Sequence, residues 1–144
     1  MANKIILLIE DNPDDAELAV RAFEMARVKS TVLRAGDGVE ALDYLFGTGT
    51  HAAQGVLPDV VLLDLKLPRV DGLEVLRRLR ADERTRYLPV VIMTSSLRER
   101  DIENGYALGA NSYVCKPVQF SQFVEIADQL CAYWLTVNQS VRRS

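Results

Sequence analysis

The chain has 144 residues, 49% hydrophobic and 26% charged, with a formal net charge of −3. That is about one domain's worth of sequence, with no apolar run near the ~20 residues a membrane helix needs. Its basic residues are scattered, which disfavours sequence-nonspecific nucleic-acid binding. Only five apolar residues separate Lys4 from Glu10, too few for the apolar region of a signal peptide, so a cytoplasmic protein is expected.

Lys4 to Ile9, rich in isoleucine and ending at Glu10-Asp11, reads as a buried strand. Asn12 offers a side-chain cap, Pro13 suits a first helical turn, and Asp14 and Asp15 favour the positive end of a helix dipole. A helix is therefore expected over residues 13 to 28, with Ala16, Ala19, Val20, Phe23 and Ala26 along its apolar face. Ser30 to Ala35 forms a second strand, closed by Gly36. Asp37-Gly38-Val39-Glu40 then opens a helix that carries Ala41, Leu42 and Leu45 inward. Residues 47–55 turn to Gly, Thr, Ala and His, which reads as a flexible loop. His51 in that loop has no Cys or second His beside it, and a surface histidine is expected.

The run from Pro58 to Pro68 organises the rest of the chain. Val60, Val61, Leu62 and Leu63 lead to a single carboxylate, Asp64, and Pro68 forbids continuation in a central strand. This describes a buried strand delivering one acid to its carboxyl end. Burying that charge unpaired costs several kcal/mol, so partners must converge on it from elsewhere. Asp71-Gly72-Leu73-Glu74 starts a third helix with Leu73, Leu76 and Leu79 inward and Arg77, Arg78 and Arg80 outward on a solvated face. Pro89 to Met93 is a fourth strand, followed by Thr94-Ser95-Ser96. Ser96-Leu97-Arg98-Glu99 has the spacing of a capping box for a fourth helix, which Gly105 weakens by about 1 kcal/mol relative to Ala. Ser112 to Cys115 makes a fifth strand ending at Lys116-Pro117. The last helix, about Gln119 to Val137, shows an apolar stripe from Phe120 to Leu135 wider than one core contact needs, and residues 139–144 read as a loose tail. Cys115 and Cys131 lack the spacing of redox or zinc sites and are expected to be reduced and buried.

Five short apolar strands alternating with five helices imply an α/β doubly wound, five-stranded parallel sheet covered on both faces, a single domain spanning 1–144. Chemistry in such a sheet gathers at the carboxyl ends of the strands. Glu10, Asp11, Asp64, Thr94 and Lys116 stand there. Carboxylates 4 Å apart repel by about 4 kcal/mol at an effective dielectric of 20, and a lysine offsets only part of that. Oxygen ligands without histidine or thiolate indicate a hard ion, and a small open cluster favours Mg2+ over Ca2+. With it bound, Asp64 can act as a nucleophile towards a phosphoryl group, the charge on the transferring oxygens being shared by Mg2+, the ammonium of Lys116 and the hydroxyl of Thr94.

Together, Glu10-Asp11, Val60 to Asp64 with Pro68 and Asp71-Gly72, Met93-Thr94-Ser95, and Gly109-Ala110 followed by Tyr113 and Lys116-Pro117 resemble the receiver domain of bacterial two-component response regulators. The resemblance spans nearly the whole chain. It implies that Asp64 takes a phosphoryl group from a phosphohistidine on a sensor histidine kinase and that Glu10, Asp11, Asp64 and the backbone carbonyl of Lys66 hold Mg2+. It further implies that Thr94 and Lys116 meet the phosphoryl oxygens, that Tyr113 changes rotamer as a switch, and that Lys116-Pro117 is cis. The plainer reading of Tyr113 is a half-buried strand aromatic. The chain stops after the fifth helix, so a single-domain regulator without a DNA-binding output domain is expected. The Asn-Pro-Asp-Asp run, the long loop before the third strand and the extended last helix look most like regulators paired with phytochrome-type histidine kinases. Lys66 and Ser96 border the path of attacking water, so phosphoryl lifetime does not carry over.

Two other classes fit less well. An aspartate-nucleophile phosphohydrolase of the haloacid dehalogenase type usually has a second Asp two residues after the nucleophile, where this chain has Lys66. A nucleotide or flavin binder would need a Gly-x-Gly-x-x-Gly or Walker loop after the first strand, where Glu10-Asp11 would repel phosphates. The surplus apolar surface of the last helix, with Tyr133, Trp134 and Val137, suggests a homodimer face shared with the fourth helix and fifth strand.

Overall fold

In the computed structural model, which describes residues 3–48 and 57–141, strand and helix alternate throughout. The elements are β1 (Ile5–Ile9), α1 (Pro13–Glu24), β2 (Thr31–Ala35), α2 (Gly38–Phe46), β3 (Val60–Leu63), α3 (Gly72–Ala81), β4 (Val90–Thr94), α4 (Glu99–Ala107), β5 (Ser112–Cys115) and α5 (Phe120–Ala132). All strand pairs are parallel, in the order β2-β1-β3-β4-β5. The order reverses between β1 and β3, which opens a crevice beyond their carboxyl ends.

Consecutive residues of a strand face opposite sides, and here both sides are dry. Leu7, Ile9, Val61, Leu63, Val90 and Ile92 pack against α2 and α3 with Leu42, Leu45, Val75, Leu76 and Leu79. Ile6, Leu8, Val60, Leu62, Val91 and Met93 pack against α1 and α5 with Ala19, Phe23, Phe123 and Ala127. The central strands thus have no polar face to offer water, which is why β1, β3 and β4 read as unbroken apolar runs. Among the described residues no helix is long and apolar enough to cross a membrane.

Two Asp-Gly pairs fix the crevice. Asp37 and Asp71 each cap a helix by accepting from the backbone N–H of Glu40 and Glu74, respectively. The glycine that follows each cap lies flush against the segment leaving β3: a Cβ on Gly72 would overlap the carbonyl oxygen of Asp64, and one on Gly38 that of Val70. Gly72 N–H also donates to Leu65 O at 2.9 Å. The loop after β3 is therefore held between the starts of α2 and α3 by backbone contact.

Several expectations change. α1 ends at Glu24 rather than near residue 28, because Met25 and Ala26 turn tighter onto Ala22 and Phe23 carbonyls and Arg27 N–H is taken by Asp128 of α5. Arg80 does not point outward. Its guanidinium turns in to donate to the carbonyls of Gly109, Arg86 and Leu88 and to Asn111 Oδ1, tying α3 to the loops flanking β4 and β5. The Ser96 capping box is not formed: Arg98 is the N-cap with no side-chain bond, and Ser96 Oγ instead donates to Asp101 at 2.5 Å. Val75 joins the α3 core while Leu73 is half-buried. Cys131 is buried as expected, but Cys115 is exposed, because β5 is an edge strand and its last residue reaches solvent. The helix of α5 continues to Val137 as a π-helical turn, Tyr133–Val137. No described peptide bond is cis, Lys116-Pro117 included. His51 and most of its loop lie outside the described residues, as do 142–144 of the tail.

Candidate functional site

β1 and β3 are neighbours in register, Ile9 opposite Leu63, so the residues just past them, Glu10 and Asp64, emerge side by side. Glu10, Asp11 and Asp64 each present an oxygen within 4.8 Å of the others. Glu10 is 5% and Asp64 7% exposed, whereas Asp11 is open to solvent. From the end of β5, Lys116 Nζ donates to Glu10 at 2.7 Å, to Asp64 at 3.0 Å and to Asp15 at 3.2 Å. All three ammonium hydrogens thus have a carboxylate partner.

The electrostatics follow from burial. Burial opposes the charge on Lys116, but its hydrogen bonds to Glu10 and Asp64 outweigh that and raise its pKa. Burial raises the pKa of Glu10, and the neighbouring Asp64 charge adds to the effect, while the bonds from Lys116 and Asn12 N–H only partly offset it. The pocket therefore holds more negative charge than its one ammonium neutralises, which is the donor set of a hard cation site. Three carboxylate oxygens converging on one point, one of them exposed, fit a Mg2+ ion that keeps part of its water shell.

Thr94, the last residue of β4, is 1% exposed, and its Oγ1 accepts a long bond from Ser96 N–H at 3.5 Å. Tyr113 is half-buried with its hydroxyl donating to Ser96 O at 2.8 Å; burial pushes the phenol pKa up, so it stays a donor. Ser96 thus lies between Thr94 and Tyr113 and also bonds Asp101 on α4. The Lys66 side chain is exposed and its N–H donates to Asp64 Oδ1 at 3.3 Å.

Two contacts at the site were not anticipated. Asp15 serves Lys116 as well as the helix dipole; its place one short turn after Asp11 was the available signal. Arg34, near the end of β2, donates to the carbonyls of Glu10 (3.1 Å) and Asp11 (3.2 Å). Nothing in its sequence context marked it.

Known proteins resemble this chain in sequence and fold. The response regulator receiver domain family matches residues 6–128. A probable methanogenesis regulatory protein, FilR2, from Methanothrix harundinacea is 42% identical over 137 residues, covering 94% of this chain and 86% of its own. The structure of the bacteriophytochrome response regulator AtBRR is 46% identical with a TM-score of 0.78 and full coverage of both chains. That of the phosphorylated cyanobacterial phytochrome response regulator RcpA is 36% identical with a TM-score of 0.91, covering 98% of this chain and 100% of its own. Sheet order, the acidic crevice and a family match across most of its length agree: the chain belongs to the response regulator receiver domain family.

Proposed function

We propose that Asp64 is the phosphoacceptor of a receiver that takes its phosphoryl group from a histidine kinase of the phytochrome type and signals through a changed protein–protein contact. The observation that carries this reading is the convergence of Glu10, Asp11 and Asp64 at the β1/β3 switch point with Lys116 hydrogen-bonded across them. One Asp64 oxygen forms a bond to phosphorus while the P–N bond to the donor imidazole breaks, the ring nitrogen keeping the electron pair. Glu10, Asp11, Asp64 and the Lys66 backbone carbonyl would hold Mg2+, which neutralises charge on the transferring oxygens. Lys116 keeps its proton through the transfer and, bonded to Asp64 at 3.0 Å, stands beside the carboxylate that attacks phosphorus. Thr94, the buried last residue of β4, supplies a hydroxyl to the same group, and Tyr113 follows through Ser96.

The likeness to phytochrome-associated regulators supports the choice of kinase, and a cytoplasmic location goes with that proposed pairing. On this reading residues 1–144 act as one receiver unit that catalyses only its own phosphorylation and dephosphorylation. Incubation with Mg2+ and an acyl phosphate should add one phosphoryl mass to the intact chain, and Asp64→Asn should abolish the addition. Undiminished labelling of that variant would sink the assignment. Phosphotransfer from phytochrome-type histidine kinases, against kinases of other sensory classes, tests the partner.

A further inference from the structure

Residue 10 is fixed from both sides. Its N–H donates to Ala35 O at 3.0 Å, and its carbonyl accepts from Arg34 Nε at 3.1 Å, while the second arm of the same guanidinium takes the carbonyl of Asp11 at 3.2 Å. Arg34 lies opposite Leu8 in the β1/β2 register, so its side chain runs along the strand direction to reach past the end of β1. The planar fork is suited to two adjacent acceptors, which a lysine cannot span with the same geometry. Both carbonyls are drawn towards β2, away from β3. The peptide planes flanking Glu10 and Asp11 are set by that pull, and with them the directions of the two carboxylates that meet Asp64.

We propose that Arg34 is a positioning residue for the divalent cation site, holding the Glu10 and Asp11 main chain so that their carboxylates point into the crevice. The inference rests on the metal-site reading above. Two influences of Arg34 on a cation oppose each other. Its charge repels the ion, whereas its fork preorganises the ligands. Substitutions separate them, because Arg34→Lys keeps the charge and loses the fork, and Arg34→Met loses both. Groups that orient ligands from behind typically change metal affinity 10–100-fold when removed; for an exposed arginine the lower end is expected.

The test is Mn2+ titration of the whole chain, read from the electron paramagnetic resonance signal of the free ion. Arg34→Lys should weaken binding about tenfold and Arg34→Met by less, because it also removes the repelling charge, with metal-free urea unfolding midpoints unchanged. Labelling by an acyl phosphate should return to the wild-type rate at saturating Mn2+, as a defect in ion binding alone requires. Wild-type affinity in Arg34→Lys, or tighter binding in Arg34→Met, would show that only charge matters and overturn the proposal. Asp11→Asn is the control on the site itself. If it binds Mn2+ like wild type the metal-site reading fails, whereas its loss of binding alongside unaltered Arg34 variants removes the positioning role alone.

Discussion

Glu10 shows how one residue can be costly to the fold and still be required there. Its carboxyl is raised above its ordinary value of 4.5 chiefly by burial, so the folded state resists its ionisation. A group with a raised folded pKa contributes stability that is complete below its unfolded pKa and lost as pH rises through the folded one. In chelator, Glu10→Gln should therefore gain stability relative to wild type as pH climbs from about 4.5. Urea unfolding across that range measures it, and a pH-independent difference would contradict the burial account. The two cysteines divide in the same way. Burial, reinforced by Asp128, pushes the Cys131 thiol up to about 11, while Cys115 is exposed. Because the thiolate is the reactive form, an alkylating reagent at pH 8 should add one group to the native protein, on Cys115, and two in urea. Prompt double labelling without denaturant would show that Cys131 is not held as the structure has it.

At the level of elements, the loop after β3 depends on two glycines more than on its own side chains. Gly38 and Gly72 begin α2 and α3, and a methyl at either would overlap a backbone oxygen that has no rotamer to adopt. Gly72→Ala should destabilise the protein by about 2 kcal/mol, within the usual range for overpacking, and slow acyl-phosphate labelling as Asp64 is displaced. A stability unchanged by thermal unfolding would refute the contact. Gly105 differs: a methyl there meets Ile92 Cδ1 at 2.7 Å and the Tyr113 ring at 3.4 Å. It is the one buried residue of α4, so this helix lies on the sheet through a glycine, close over β4 and β5. The sequence reading counted Gly105 as a defect in helix propensity; the packing shows it as the condition for close approach beside the Thr94–Ser96–Tyr113 chain.

For the whole molecule, large apolar side chains remain exposed, several of them towards the carboxyl-terminal third of the chain. Tyr106 is 49%, Val118 90%, Tyr133 48% and Val137 63% exposed, on α4, the β5–α5 junction and the π-helical turn. On our reading these residues of α4, the β5–α5 junction and the π-helical turn pair with a second copy. Light scattering at micromolar concentrations should then show a dimer that Val137→Glu weakens, and a monomer in every phosphorylation state would count against it. Parallel order, the two dry faces and the strand-end acids were legible in the sequence, because apolar runs of strand length and the Asp-Gly-x-Glu helix starts are local patterns with local causes. So was the family, carried by motifs at fixed places. Arg80, Asp15 and Arg34 were not legible, since each has a polar side chain whose partners lie on another element. Sequence periodicity assigns such a residue to a face, but not to an acceptor. Exposure of Cys115 likewise follows from its strand lying at the sheet edge, which the strand order decides. The sequence by itself determined which acids, hydroxyl and amine stand at the carboxyl ends of the strands. Only the tertiary structure decided that Lys116 bonds three carboxylates at once and that Arg34 grips the main chain behind two of the acids, because these contacts join segments distant in sequence that meet only once the sheet has formed.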